Sequence, residues 1–517
     1  MTSSQSVTQS VNDWIDVFDD DGVFGTLGFT EIYGDAPGLW MERRDAMRRT
    51  LLSYRAQFGN EVVRIFRAPG RINLRGMHVD THGGFLNLMT HQREVLVVAG
   101  LGNFDSTEVV NTDGDFQALA LRRCDLPLRK EDQDWRAFIE SGAVRDHVGE
   151  ETGHWRYYVE GVWLRMMEEM REGPVRGLHL AVDSNLPRGA ALSSSAALCL
   201  AMTHAWLAWH DRTVSPEALI LAAQDGEWYT GSRCGTCDQA AIVLGTPGHL
   251  IHGALNPNAF STRVMHPRTV PESLRILVVN SHTRRSISGA EKVAYTRNRF
   301  AYSMALDILA QTLRRMEFPE SVVESCRSLS EIDVGALGGD AELYRVMLEI
   351  PEAMSLTALR TTYVLPDLEA SFRRYFSDVP EANLPTTIAL RGPLLFGIAE
   401  SARARAFAMA LEEGDHDLAG KLMTWGHDGD RRVDATGEPF TFSTDDEALL
   451  RMIAKQTPLV ACPGAYGASS PPLDWLVDSA LKHGALGASL TGAGIAGSVL
   501  VLCEATTGEE VAEGIGG

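Results

Sequence analysis

The run Leu186-Pro-Arg-Gly-Ala-Ala-Leu-Ser-Ser-Ser-Ala-Ala-Leu198 constrains this chain more than any other stretch. A strand-like segment, Gly177–Asp183, leads into it, and Pro187 and Gly189 mark a turn. Three serines then open a segment of good helix formers, Ala196 through Leu207. Glycine and alanine keep the backbone bare, so a phosphate can rest on N–H groups at a helix N-terminus, where the dipole favours anions. A Ser-rich helix cap accounts for the serines alone, but not for the strand, turn and bare backbone ahead of them. The sequence contains no GxxxxGK[ST], so this is not the common P-loop.

At 517 residues the chain is long enough for a large core and two domains. A net charge of -21 argues against nucleic acid as a partner, because that footprint is basic. It leaves phosphate ligands open, since they answer to local fields. No apolar run approaches the ~20 residues of a membrane span, and the first residues lack the basic and apolar pattern of a secretory signal. Seven scattered cysteines fit a reducing compartment, so the expected location is the cytoplasm.

Along the chain, residues 1–60 read as an acidic, partly irregular lead that ends in a helix over Met41–Phe58. Strands are predicted at Val62–Phe66, Glu94–Gly100 and Thr107–Asn111. The polar stretch Arg122–Thr152 reads as an insertion or long loop. Helices follow at Ser195–His210 and Pro216–Trp228, the second with Ser215 as cap and Pro216 in the first turn. The turn-rich Pro267–Pro271 precedes a strand over Leu274–Asn280 and marks a domain boundary, giving parts 1–60, 61–270 and 271–517. A long amphipathic stretch, Ala290–Glu317, opens the last part. Helix Pro472–His483 and strands Leu486–Leu490 and Ser498–Cys503 close it. The pattern is mixed α/β (α+β) in two lobes.

Two further motifs accompany the serine loop. Arg67-Ala-Pro-Gly-Arg-Ile-Asn-Leu-Arg-Gly-Met-His-Val-Asp-Thr-His-Gly-Gly84 gathers Arg71, His78, Asp80 and His82 in one short loop, which suits a polyhydroxylated ligand. Gly487-Ala-Ser-Leu-Thr-Gly-Ala-Gly-Ile-Ala-Gly-Ser498 is a glycine turn between two strands. It matches GxGxxG without opening a helix, which argues against a dinucleotide fold.

In this order the three motifs resemble the GHMP kinase superfamily, and its galactokinase branch above all. Arg67–Gly84 resembles that branch's sugar signature, A-P-G-R-V-N-L-I-G-E-H-T-D-Y-N-x-G. Trp155-Arg-Tyr-Tyr-Val-Glu-Gly-Val162 resembles W-x-x-Y-V-x-G-V, and Gly235-Thr-Cys-Asp-Gln239 resembles C-G-I-M-D-Q. Leu473-Asp-Trp-Leu476 with Gly484–Gly497 resembles the branch's C-terminal block. The resemblance implies a two-lobed GHMP kinase fold with the active site between the lobes. It also implies an ATP- and Mg²⁺-dependent kinase acting on the C1 hydroxyl of a galactose-like sugar or sugar acid.

Carried over residue by residue, the resemblance makes Asp238 the catalytic base and Arg71 the group that stabilises transferring charge. Pro187, Gly189, Ala190, Ala191, Leu192, Ser193, Ser194 and Ser195, with Gly492 and Gly494, would bind ATP. Met77, His78, Asp80, His82, Gly235 and Tyr295 would line the sugar site. Ser195 would reach Mg²⁺. The branch's second metal ligand is a glutamate twelve residues before the aspartate, a position held here by Gly226 between Asp225 and Glu227. Glu227 is the choice, with Asp225 as the alternative, since one helical step rotates a side chain by about 100°. Cys234 and Cys237 form a CxxC with no second pair, so they read as loop packing and not as a zinc site.

Met77 is the main departure, for the signature has glutamate there, which by resemblance receives the C6 hydroxyl of galactose. Arg75 replaces an isoleucine, and Thr81 and His82 replace tyrosine and asparagine. A loop that has lost an anion and gained basic groups would suit a substrate carboxylate, paired with Arg75 or a protonated His82, or else a pentose. Galacturonate kinases, with G-x-H-I-D-H-Q-G-G, offer a nearer echo of Gly76–Gly84. The alternatives are a kinase for another alcohol in specialised metabolism and a non-catalytic sugar and ATP sensor.

Overall fold

Much of the described part of the lead is helical. In the computed structural model, Val11–Asp19 is a helix capped by Ser10, whose Oγ accepts the Asp13 amide at 3.2 Å. Its buried residues, Val11, Trp14, Ile15 and Phe18, recur at helical spacing and form one apolar face. They join Ala46, Met47, Leu51 and Tyr54 of the helix Pro37–Phe58, and Leu96, Val98 and Ala181, in a single core cluster. The aspartates that made the segment read as loop occupy the opposite, solvent face. The structure describes residues 7–21, 28–149, 153–170, 175–232, 234–283, 290–376 and 379–516.

The chain folds into two compact units that are interleaved in sequence. The first comprises residues 1–71, 89–188 and 193–249; the second comprises 72–88, 189–192 and 250–517. Within the first, the Val95–Leu101 part of strand Phe85–Leu101 pairs antiparallel with Leu178–Ser184 (Val97 opposite Val182), and Ser106–Asn111 lies parallel to the latter. A helical layer contains Trp155–Glu169, Ser194–Trp209, Pro216–Trp228 and Cys237–Leu244. The stretch read as a loop over Arg122–Thr152 contains short helices at Trp135–Ile139 and Gly142–Val148, capped by Asp134 and Ser141. They bury Phe138, Ile139, Val144 and Val148, a periodicity hidden by the surrounding charges.

The second unit is built on the antiparallel sheet Gly487–Leu490, Ser498–Glu504, Leu274–Asn280, with Val499 opposite both Leu490 and Val279. Helices His416–Asp430, Pro471–Lys482 and Gly508–Gly516 pack against it. The amphipathic stretch expected over Ala290–Glu317 breaks at Met304 into helices Ala290–Ser303 and Ala305–Arg315. A long helix, Arg391–Glu413, carries the groups that support the loop of the first motif. Among the described residues no helix is long and apolar enough to cross a membrane.

Candidate functional site

In the first unit, three short-range features converge on Asp238. Helix Cys237–Leu244 places it in the first turn, strand Val62–Arg75 delivers Arg71, and the N-cap of helix Ser194–Trp209 delivers Ser193. Arg71 reaches Asp238 Oδ1 with Nε at 2.8 Å and an NH2 nitrogen at 2.7 Å. Ser193 Oγ donates to Oδ2 at 2.6 Å, and Cys237 Sγ lies 3.1 Å from Oδ1. Burial alone raises a carboxyl's pKa, but the Arg71 charge and the Ser193, Cys237 and Arg71 hydrogen bonds outweigh it. The net shift is downward, so Asp238 is an anion aimed and ready to accept a hydrogen bond.

A second carboxylate sits beside it. Glu227, in the last turn of Pro216–Trp228, accepts the Ser195 hydroxyl at 2.7 Å and the Gln239 amide at 2.7 Å. Burial and the neighbouring Asp238 charge push its carboxyl up to about 7. Asp225 turns elsewhere and pairs with Arg165 at 2.8 Å. The structure therefore brings Glu227, and not Asp225, to Ser195. Among the described residues no cluster of three or more His, Cys, Asp or Glu forms a self-sufficient metal cage. The Ser195 hydroxyl and the buried Glu227 carboxylate are hard oxygen donors that fit Mg²⁺, which keeps several waters and shares its sphere with phosphates.

The serine loop has the backbone expected of an anion cradle. Backbone φ is +70° at Gly189, +60° at Ala191 and +61° at Ser193. Alternation of this kind turns successive N–H groups to one side. Ser193 makes no side-chain cap on the helix it begins, because its hydroxyl goes to Asp238. Ala191 sits in a left-handed conformation that costs a non-glycine residue ~1 kcal/mol. In the second unit its methyl is enclosed by the third motif: a Cβ added at Gly492 or Gly497 would lie 2.8 or 2.7 Å from it. Ser498 Oγ donates to the Ala190 carbonyl at 2.8 Å. Gly494 packs instead on the Ala468 carbonyl. Pro187, Leu192 and Ser194 complete the loop, with Leu192 buried.

The first motif continues in the second unit from Ile72. Met77 is buried with Phe396, Tyr466, Ala468 and Leu473 in the apolar core. His78 stacks on Tyr466 with ring centroids 4.4 Å apart and lies 3.5 Å from Asp430. Asp80 opens the turn Asp80–His82, and the His82 ring sits 4.1 Å from that of Tyr302. Two expectations are corrected here. Arg75 is fully buried and committed, 3.5 Å from Glu400 and bonded to the carbonyls of Leu422 and Met423. His82 is not a cation, because burial and nearby Arg299 push it down to about 3. Arg75 is therefore not available to a substrate carboxylate, and His82 would have to take up a proton to receive one. Gly235 lies in the loop ahead of Asp238. Tyr295 falls in helix Ala290–Ser303, and its side chain lies outside the described residues.

Glu400 was not singled out in the sequence, yet its Oε1 accepts the backbone N–H groups of Gly76 and Met77 at 2.8 and 3.0 Å. The only signal for it was a lone carboxylate after the apolar run Pro393–Ala399, at no recognisable distance from the loop it serves.

Three family descriptions match the chain. "GHMP kinases N terminal domain" matches residues 157–246, "Galactokinase galactose-binding signature" matches 52–101, and "GHMP kinases C terminal" matches 442–516. A galactokinase of Chloroflexus aurantiacus is 31% identical over 266 residues, 51% of this chain and 60% of that protein. The match thus spans less than two thirds of that relative. A galactokinase of Chloroflexus aggregans is 27% identical over 461 residues, 89% of this chain and 88% of that one. Among solved structures, Lactococcus lactis galactokinase complexed with galactose aligns with a TM-score of 0.58 at 20% identity. That alignment covers 90% of this chain and 92% of the other, and it places the two in one fold.

Proposed function

Since this chain belongs to the GHMP kinase superfamily, in its galactokinase-like branch, we propose that it transfers the terminal phosphoryl group of ATP to the C1 hydroxyl of a galactose-like sugar. The observation that carries this reading is the Arg71–Asp238–Ser193 cluster with Glu227 and Ser195 beside it. Phosphoryl transfer needs positioned phosphates, neutralised charge and a partner for the nucleophile's proton. Asp238, held anionic, orients the sugar hydroxyl and takes its proton as the new bond forms. Arg71 keeps Asp238 aimed and places positive charge where the transferring group becomes most negative. The backbone from Gly189 to Ser195 receives the nucleotide phosphates, and Gly492 and Gly497 shape that cradle by packing on Ala191. Ser195 and Glu227 hold Mg²⁺, whose contribution when bound is to spread the charge of the phosphates.

His78, Asp80, Gly235 and Tyr295 belong to the sugar side of the site in this proposal. A neutral acceptor is favoured over a uronate because Arg75 is already paired and His82 is neutral. The division into a lead over 1–60 and N- and C-terminal kinase domains over 61–270 and 271–517 is one of sequence, since the lead packs within the first compact unit and the units interleave. A reducing, cytoplasmic setting is supported by seven free cysteines. The test is ADP release across galactose, arabinose, galacturonate, glucuronate and non-sugar alcohols. Turnover should be fastest with galactose or a close neutral relative. Binding of sugar and ATP without turnover would favour the sensor, and turnover confined to non-sugar alcohols would remove the sugar assignment.

A further inference from the structure

The sugar-signature loop in the second unit is not in a relaxed conformation. Gly76 has φ +97°, and a Cβ there would strike the Phe85 carbonyl and the Leu86 backbone. His78, two residues on, has φ +62°, a region that costs a side-chain-bearing residue on the order of 1 kcal/mol or more. Met77 lies between these two turns. Such a conformation persists only where the surroundings over-determine it.

Asn73 Nδ2 donates to the Gly76 carbonyl at 3.1 Å and His78 stacks on Tyr466, but the bonds to the loop's backbone N–H groups at Gly76, Met77 and Phe85 come from one helix, Arg391–Glu413. Glu400 Oε1 accepts both the Gly76 and the Met77 N–H. Ser401 Oγ accepts the Phe85 N–H at 3.1 Å, and the Ala404 carbonyl accepts Asn87 Nδ2 at 2.7 Å. Glu400 is itself immobilised, because Arg403 Nε donates to its Oε2 at 2.7 Å and Arg403 also bonds the Cys462 carbonyl at 2.6 Å. Arg75 approaches Oε1 at 3.5 Å. The side chains of Glu400, Arg75 and Arg403 are at most 1% exposed. Two cations around one buried carboxylate is a costly arrangement, and replacing such a cluster by apolar residues is often stabilising. Stability alone is therefore a weak reason for this triad. What it does provide is a fixed acceptor aimed at two consecutive amides of the sugar loop.

We propose that Glu400 is a positioning residue for sugar binding: it fixes the backbone of Gly76 and Met77, and through it the side chains of His78 and Asp80. The inference rests on the reading of Arg67–Gly84 as the sugar loop. With Met77 turned into the core, the loop supplies no carboxylate of its own at that position, and its shape depends on one brought from Arg391–Glu413.

The test is Glu400→Gln, measured by KM for galactose, KM for ATP, kcat, and the calorimetric Kd for galactose without nucleotide. Galactose KM and Kd should rise about tenfold or more while ATP KM stays within twofold. Arg391→Met is the matched control: Arg391 is also a buried arginine, bonding the carbonyls of Ile350 and Thr444 at 2.8 and 2.9 Å away from the loop. It should lower Tm without moving either KM. If Glu400→Gln does not fold, the double variant Arg75→Met, Glu400→Gln removes one buried cation with the anion, and the same tenfold loss of galactose affinity is expected. Galactose affinity within twofold of wild type in the folded variant overturns the proposal. So does a parallel rise in both KM values, or an equal effect of Arg391→Met. If wild type releases no ADP with any sugar, the kinase reading fails, and the galactose Kd still decides the role of Glu400.

Discussion

Asp238, part-buried, and Glu227, buried, are neighbouring carboxylates whose surroundings drive them in opposite directions. Asp238 is held down by Arg71 and two further donors in spite of burial, whereas burial and the charge of Asp238 raise Glu227 to about 7 against the hydrogen bond it accepts from Ser195. In the proposed reading the first takes the reacting proton and the second holds the cation. Asp238→Asn keeps the shape and removes the proton acceptor, so kcat should fall on the order of 10²-fold or more with the fold retained. Near-normal turnover would remove the base assignment. Glu227→Gln should raise the Mg²⁺ concentration needed for half-maximal activity, while Asp225→Asn, which loses only a partly exposed pair with Arg165, should leave it unchanged. The reverse ranking would move the metal ligand back to Asp225. His82 gives a pH signature. Its pKa is depressed from 6.5 to about 3 in the folded chain, so the unfolded chain binds the extra proton. Its contribution to stability is complete above pH 6.5 and is lost as pH falls from there toward 3. His82→Asn should therefore show a shallower fall of Tm between pH 7 and 5 than wild type; parallel curves would show that His82 takes up its proton as readily in the folded chain as in the unfolded one.

Elements with a clean period were legible in the sequence. Helix Pro216–Trp228 and strand Leu274–Asn280 lie where the cap, the first-turn proline and the apolar run place them. The misreadings share one cause, in that charge counts masked a short apolar face. The helix Val11–Asp19 carries four aspartate or asparagine residues in nine, and still presents Trp14, Ile15 and Phe18 to the core. Trp14→Ala should cost about 3–5 kcal/mol in chemical unfolding, as for a large core residue. A loss below 1 kcal/mol would mean the lead is peripheral after all. The serine loop and the glycine turn were visible because bare backbone leaves a compositional mark. Glu400 left none, since its importance lies in a contact across 324 residues, made by the side chain of an otherwise ordinary helix.

For the molecule as a whole, the resemblance to the kinase family was legible because its motifs are local, whereas the compact units are not. The chain crosses between units within the first two motifs, at Arg71 and at Arg188 and Ser193. No linear reading of composition anticipates that. Substrate choice was legible only in part: the replacement of glutamate by Met77 is plain in the sequence, but the burial of Arg75 and the neutrality of His82 are properties of the fold. Galacturonate should accordingly show lower kcat/KM than galactose, and a higher value would mean that a cation other than Arg75 or His82 receives it. The most direct measurement is ³¹P NMR of galactose incubated with ATP, Mg²⁺ and either wild type or Asp238→Asn. The account requires a sugar 1-phosphate resonance, coupled to the anomeric proton, that grows with wild type and is nearly absent with Asp238→Asn. A phosphate on any other hydroxyl, or equal accumulation with both proteins, would contradict it.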